Sequence, residues 1–226
     1  MAELDRKLAA VIDHTLLRPE ADGREVDKLC VEALRFGFAA VCVQPVWVAR
    51  AARTLAGSRV AVASVVAFPH GANVTAIKVA EASRARDDGA TELDVVANLA
   101  AIRAGDDRAV TEEIAAVVNA ARGAAVKVIL ETTFWSPDRM AAAARAAVAG
   151  GARFVKTSTG FLAGGATEDA VRALRAAVGP DVGVKASGGI RTRAQALAML
   201  AAGASRVGAS SSVAIVTDEG SASSAR

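Results

Sequence analysis

The stretch Gly150-Gly151-Ala152-Arg153-Phe154-Val155-Lys156-Thr157-Ser158-Thr159-Gly160 holds one repeating unit of this chain in miniature. A glycine pair ends a helix in a left-handed cap, a short apolar run comes next, and a small-residue turn leads out of it. The same arrangement recurs at Phe36-Gly37-Phe38, Asp88-Gly89-Ala90 and Ala202-Gly203-Ala204, each of which leads into another apolar run. With this pattern extended outward, strands are predicted near residues 12–16, 40–44, 60–66, 92–97, 126–131, 153–157, 182–186 and 206–209. They recur about every 28 residues, the length of one βα unit. Helix starts are also legible. Ser136-Pro137-Asp138 offers an N-cap with proline in the first turn, Thr167 precedes two acids, and Thr192 with Gln195 has capping-box spacing. The segments 73–88, 138–149 and 168–178 are alanine-rich with arginines to one side, as amphipathic outer helices should be. Eight strands alternating with helices predict an α/β fold, a single-domain (β/α)8 TIM barrel over residues 1–217, with an open doubly wound sheet as the competing arrangement. The polar tail, residues 218–226, is expected to be disordered.

With 226 residues, 53% of them hydrophobic, the chain can build one large core. Its net charge of +3 is spread among interspersed acids, with no run of five or six like charges. With no tyrosine and 4% aromatic residues it offers no stacking platform, so nucleic acid is not an expected partner. The slight positive balance favours anionic small molecules. Cys30 and Cys42 have neither CxxC spacing nor a disulfide framework, which fits a reducing cytoplasm. The charged start Met1-Ala2-Glu3-Leu4-Asp5-Arg6-Lys7 is unlike a signal peptide, and no segment approaches the ~18 apolar residues of a membrane span. A cytoplasmic protein with no membrane partner is expected.

Lysine usage points to the chemistry. The chain has 6 lysines against 21 arginines, so it ordinarily takes its surface charge from arginine. Arginine cannot lose its proton inside a protein, whereas lysine shifts its pKa readily when buried or crowded by another cation. Lys156 and Lys185 each end an apolar run and precede a small-residue turn, Thr157-Ser158-Thr159-Gly160 and Ala186-Ser187-Gly188-Gly189. Amines that can become neutral at strand ends suggest a Schiff base with a carbonyl substrate. The alternative is that both lysines snorkel into water. In a barrel, side chains alternate inward and outward and active groups sit at the carboxyl ends of strands. Val155 and Val184 then face out, while Lys156 and Lys185 face in on neighbouring strands ~4.8 Å apart. Like charges that close make one amine easier to deprotonate. In Glu92-Leu93-Asp94-Val95-Val96-Ala97-Asn98, the apolar Leu93, Val95 and Ala97 face the helices, which turns Asp94 and Asn98 inward. Asp94 reads either as a salt-bridge partner or as a proton shuttle with one of the lysines. Lys127, about 13 Å before Glu131 along an extended strand, is assigned to the barrel interior rather than its mouth.

Three small-residue turns form a candidate anion cradle. They are Thr159-Gly160, Gly188-Gly189 and Gly208-Ala209-Ser210-Ser211-Ser212. The last two follow the seventh and eighth strands, where barrels of this type commonly bind phosphate through backbone amides. Gly160, Gly188, Gly189, Gly208, Ser210 and Ser211 are therefore candidate phosphate ligands. Thr15, Cys42 and Thr159 are candidates for lining the substrate site, although Cys42 in Val41-Cys42-Val43 also reads as a packed small hydrophobe. Phe68-Pro69-His70-Gly71 follows the third strand, at the mouth. His70 and His14 have no metal-ligand spacing, so no metal site is assigned.

Together these motifs resemble the class I deoxyribose-phosphate aldolases. The matching segments are Ile12-Asp13-His14-Thr15-Leu16-Leu17, Phe68-Pro69-His70-Gly71, Glu92-Leu93-Asp94-Val95-Val96, Val155-Lys156-Thr157-Ser158-Thr159-Gly160, Val184-Lys185-Ala186-Ser187-Gly188-Gly189-Ile190-Arg191 and Arg206-Val207-Gly208-Ala209-Ser210-Ser211. They run in family order over residues 12–215. The resemblance implies reversible cleavage of 2-deoxy-D-ribose 5-phosphate to acetaldehyde and D-glyceraldehyde 3-phosphate, in a (β/α)8 barrel that needs no metal or organic cofactor. It implies Lys156 as the Schiff-base lysine, with Asp94 and Lys185 as proton donors and acceptors, and a homo-oligomer, dimer or tetramer. Some family members end in a tyrosine that assists proton transfer. This chain contains no tyrosine, so no tail-assisted step carries over. The competing readings are another Schiff-base barrel enzyme, transaldolase-like or thiazole-synthase-like, and a noncatalytic phosphosugar-binding barrel.

Overall fold

Each apolar run becomes one parallel strand of a closed barrel, and each glycine-punctuated segment before it becomes an outer helix. The structure is a computed structural model that describes residues 4–217; the tail expected to be disordered, residues 218–226, lies outside them. The strands are β1 Ile12–Leu16, β2 Ala40–Val43, β3 Ala61–Val66, β4 Glu92–Val96, β5 Ala125–Ile129, β6 Phe154–Lys156, β7 Gly183–Ser187 and β8 Arg206–Ala209. All pair in sequence order, and β1 closes on β8 through Ile12↔Val207, Asp13↔Gly208 and His14↔Ala209. The barrel is therefore closed, and the doubly wound alternative is set aside.

The helices are α1 Arg6–Ala9, α2 Gly23–Phe36, α3 Val48–Thr54, α4 Thr75–Asp87, α5 Leu99–Ala104, α6 Asp107–Ala120, α7 Pro137–Ala149, α8 Glu168–Val178, α9 Arg193–Ala201 and α10 Ser212–Thr217. Their starts obey the sequence signals. Ser136 and Thr167 accept backbone amides at the heads of α7 and α8, and Thr192 forms a full capping box with Gln195 on α9. The α4 segment departs from the amphipathic expectation. Its buried face carries Lys78 beside Ala82 and Ala85, while Ile77 is exposed. Lys78 is tolerated there because its Nζ donates to Glu113 on α6 and to the Val96 carbonyl at the end of β4, both at 2.9 Å. Among the described residues, no helix is long and apolar enough to cross a membrane.

Two apolar regions result. The large one lies between strands and helices and takes the outward set Val41, Leu93, Val95, Val128, Val155, Val184 and Val207. The small one lies inside the barrel and consists of Leu17, Cys42, Ala63 and Val65, with Phe68 against it. The rest of the interior is ionic. Barrels of this kind usually fill their centre with branched aliphatic residues, so this substitution marks where the chain departs from pure packing.

Candidate active site

The inward positions of four adjacent strands, β4 to β7, converge on Asp94. Its Oδ1 accepts from Lys127 Nζ at 2.8 Å, and its Oδ2 accepts from both Lys156 Nζ at 2.8 Å and Lys185 Nζ at 2.7 Å. Strand register explains the convergence, because Asp94 pairs with Lys127 across β4–β5 and Lys156 pairs with Lys185 across β6–β7. A second carboxyl, Asp13 on β1, accepts from Lys185 at 2.5 Å and from Arg206 at 2.7 Å, with Lys127 at 3.5 Å. Glu92 pairs with Lys127 at 2.5 Å and, more loosely, with Arg206 at 3.5 Å. In formal charges, four cations face three carboxylates. The cluster balances when one amine is neutral.

Burial and neighbours decide which amine that is. Desolvation pushes Lys156 below the ordinary lysine value, Lys185 beside it pushes the same way, and the attraction of Asp94 does not make up the difference. Desolvation also penalises Lys185, but Asp13 and Asp94 together raise its pKa above the ordinary value. Lys127, facing three carboxyls, is raised further. Burial alone would push Asp94 up, yet Lys127, Lys156 and Lys185 hold it well below the usual carboxylate range. Asp13 is held down in the same way by Lys185, Lys127 and Arg206.

Above this cluster a cavity of about 370 Å³ opens at the carboxyl ends of the strands. Lys156 lines it, as do Thr15, Thr159, Gly160, Gly188, Gly189, Gly208 and Ser210. Asp94, Lys127 and Lys185 lie beneath it and are at most 1% exposed. Ser211 sits just before α10 and is not among the lining residues. Cys42 lies in the inner apolar cluster, with its thiol pushed up to about 11 by burial. Phe161 stands on the rim, edge-on to Phe68 with centroids 5.0 Å apart, and His70 is exposed in the same loop as Phe68. A larger hollow, about 430 Å³, lies between α8 and α9. Its charged lining, Arg172 with Glu168 and Asp169, forms exposed ion pairs and offers no amine.

Two of the candidate phosphate glycines have steric reasons of their own. A Cβ on Gly208 would stand 3.0 Å from Lys185 Cε and 3.0 Å from Ser187 Cβ, so this position makes room for the buried lysine stem. Gly188, at φ 93°, packs its backbone against Gly160 and Gly165, where a Cβ would meet Cα atoms at 3.4 and 3.1 Å. Asn98 corrects the inward assignment made from strand parity. β4 ends at Val96, and the Asn98 side chain instead caps α5, accepting from the Ala100 and Ala101 amides at 3.1 Å. Sequence reasoning also missed Asp13, Glu92 and Arg206. The parity that turned Asp94 inward applies equally to Glu92, two residues earlier, and was the available signal.

A closed parallel barrel that buries a lysine–carboxylate cluster beneath an open mouth defines an enzyme of the (β/α)8 class. The chain belongs to the DeoC/LacD family of aldolases, whose family model matches residues 7–220. It is 50% identical over 213 residues to a deoxyribose-phosphate aldolase of Bacillus cytotoxicus, covering 94% of this chain and 96% of the relative. It is 50% identical over 206 residues to one of Brevibacillus brevis, covering 91% and 93%. A solved deoxyribose phosphate aldolase of Aeropyrum pernix, described as tetrameric, superposes with a TM-score of 0.89 at 36% identity, over 96% of this chain and 92% of that one.

Proposed function

We propose that this aldolase reversibly cleaves 2-deoxy-D-ribose 5-phosphate to acetaldehyde and D-glyceraldehyde 3-phosphate through a Schiff base on Lys156. The choice of substrate is supported by the deoxyribose-phosphate aldolases to which the chain is similar. The nucleophile rests on one observation: of the three lysines bound to Asp94, only Lys156 lines the cavity. It is also the one whose proton is destabilised.

Neutral Lys156 adds to the C1 aldehyde of the open-chain sugar, and loss of water gives an iminium ion. The C3 hydroxyl gives its proton to the Asp94 carboxylate, the C2–C3 bond breaks, and its electron pair passes to the iminium to form an enamine. D-Glyceraldehyde 3-phosphate leaves. Protonation of the enamine at C2 and hydrolysis release acetaldehyde and return Lys156. Asp94 Oδ2, shared by the two amines, suits a relay more than a resting base, because a carboxyl held so low keeps a proton only briefly. Lys185, held charged, supplies the cation that keeps Lys156 neutral; it gives a proton through the relay to the enamine and takes back the one that left the C3 hydroxyl. Backbone amides and the Ser210 hydroxyl at the turns after β6, β7 and β8 hold the phosphate. The enzyme acts as a homo-oligomer, which the tetrameric relative supports. It works in a reducing cytoplasm, which its two free, buried cysteines fit.

The test is acetaldehyde release from 2-deoxyribose 5-phosphate, then borohydride reduction in the presence of substrate and peptide mapping. Reduction should leave a stable adduct on Lys156, and Lys156→Arg should abolish trapping, since guanidinium cannot act as the amine. An adduct mapped to Lys185, with Lys156→Arg still trapping, overturns the nucleophile assignment. Trapping without acetaldehyde overturns the substrate.

A further inference from the structure

The strand end that carries Lys156 is braced from two sides. Toward β7, Thr157 Oγ1 donates to the Ser187 carbonyl at 3.0 Å and accepts the Ser187 amide at 3.0 Å, while Ser187 Oγ donates to the Ser158 carbonyl at 2.6 Å. Toward β5, the backbone ladder continues past the strand, with Leu130 N donating to Lys156 O at 3.0 Å and Thr132 N to Thr157 O at 2.9 Å. Between those two rungs sits Glu131, whose Oε2 accepts the Thr159 amide at 3.0 Å.

Glu131 is an expensive way to satisfy one amide. Its side chain is completely buried, and its backbone stands at φ 53° and ψ 62°, in the left-handed region that favours glycine. Its second oxygen, Oε1, has no partner, and neither do the buried hydroxyls of Thr132 and Ser158 on the same two paired segments. Stability alone would place glycine at such a position, since strain and an unsatisfied buried oxygen both cost free energy. What the carboxyl gains is control of Thr159, which together with Gly160 forms the edge of the cavity.

We infer that Glu131 is a positioning residue for the phosphate end of the site. It fixes the Thr159 amide and thereby holds the Thr159–Gly160 turn where the substrate's phosphate meets it. This rests on the reading of that turn as part of the phosphate cradle. Lys156 does not depend on Glu131, because the Thr157–Ser187 and backbone bonds hold its strand end independently. Glu131 therefore governs KM for phosphorylated substrate and leaves the amine chemistry intact.

Two variants separate this role from a structural one. Glu131→Gly suits the left-handed backbone and folds, but it removes the brace. Glu131→Gln keeps an acceptor for Thr159. The measurements are hydrogen–deuterium exchange at the Thr159 amide, binding of inorganic phosphate, KM and kcat with 2-deoxyribose 5-phosphate, and borohydride trapping on Lys156. For Glu131→Gly we expect faster exchange at Thr159 and a KM and phosphate Kd raised about tenfold, the effect of one lost hydrogen bond to a buried amide. Its kcat and Lys156 trapping should stay near wild type, and Glu131→Gln should restore wild-type behaviour. The inference is overturned if Glu131→Gly leaves Thr159 exchange or KM unchanged, or if kcat and trapping fall along with it. A wild-type enzyme that releases no acetaldehyde defeats the proposed substrate, and Thr159 exchange and phosphate affinity then still decide Glu131. A wild type that binds no inorganic phosphate defeats the positioning role itself.

Discussion

Lys156 and Lys185 occupy partner positions on neighbouring strands and share almost the same local pattern, yet their surroundings drive them in opposite directions. Lys156 meets one carboxyl and opens on the cavity; Lys185 meets two and is sealed. Local sequence could not separate them, because Asp13, the carboxyl that makes the difference, lies 172 residues from Lys185 and reaches it only when the barrel closes. The lysine bias itself was legible. Four of the six lysines, Lys78, Lys127, Lys156 and Lys185, are buried, as expected of a chain that uses arginine on its surface. Arg206, by contrast, breaks that pattern by reaching into the cluster, so it was invisible to it. The pKa directions give a pH prediction. Because the proposed nucleophile Lys156 must be neutral to attack and its pKa is lowered, kcat/KM should rise with pH along a limb below the ordinary lysine value of about 10.4. Lys185→Leu removes a cation from beside Lys156 and leaves Asp13 and Asp94 less neutralised. Both changes favour the protonated amine, so the limb should move to higher pH while borohydride trapping on Lys156 persists. A limb that stays in place in a pH–rate profile would show that Lys185 does not set the amine's pKa.

Strand positions were legible because glycine punctuation and apolar runs act locally; strand ends were not, because they depend on partners brought in from distant helices. The run from Glu92 reads as a strand through Ala97, but pairing stops at Val96, where Lys78 Nζ takes the Val96 carbonyl and Glu113 takes the Asn98 amide. These side chains from α4 and α6 end the strand by supplying partners that a further ladder would have supplied. The same long-range partner explains why α4 buries a lysine, which no helical periodicity could announce. The proposed phosphate cradle belongs to this scale too, since its turns come from three βα units and not from a contiguous motif. Ser210, exposed at the end of β8, lies on the cavity wall with Gly188 and Gly189. Ser210→Asp should set a carboxylate against the substrate's phosphate and raise KM for 2-deoxyribose 5-phosphate about tenfold or more, the scale of one like-charge contact near a surface. Unphosphorylated 2-deoxyribose should be affected much less. Steady-state kinetics with both sugars decides it, and equal losses would move the phosphate site elsewhere.

Across the whole molecule, the barrel gives up an aliphatic centre for an ionic one, and the members of that cluster do not share the cost equally. Lys127 is fully buried against Asp94, Glu92 and Asp13, and its raised pKa marks it as a stabilising member. A group raised in this way contributes stability that is present below its unfolded value of about 10.4 and is lost only as pH rises through the folded value. Lys127→Met takes a partner from three carboxyls and leaves Glu92 only the 3.5 Å contact to Arg206, and breaking a buried pair costs about 3–5 kcal/mol, or a Tm drop of roughly 6–20 °C in a chain of this size. Lys156 has the opposite sign. Its folded pKa is depressed, so between that value and about 10.4 the unfolded chain binds the extra proton and stability rises with pH. Below that window the fold carries the penalty of a buried ammonium. Lys156→Met removes the penalty, and Asp94 still has Lys127 and Lys185 as partners. The Lys156→Met variant should therefore melt above wild type, with the largest gain at low pH and a gain that shrinks as pH rises toward the ordinary lysine value. Thermal melts of both proteins across that range test it. A variant that melts below wild type at every pH would mean that Lys156 is held for stability, and that the neutral amine on which the proposed chemistry depends is not the resting state.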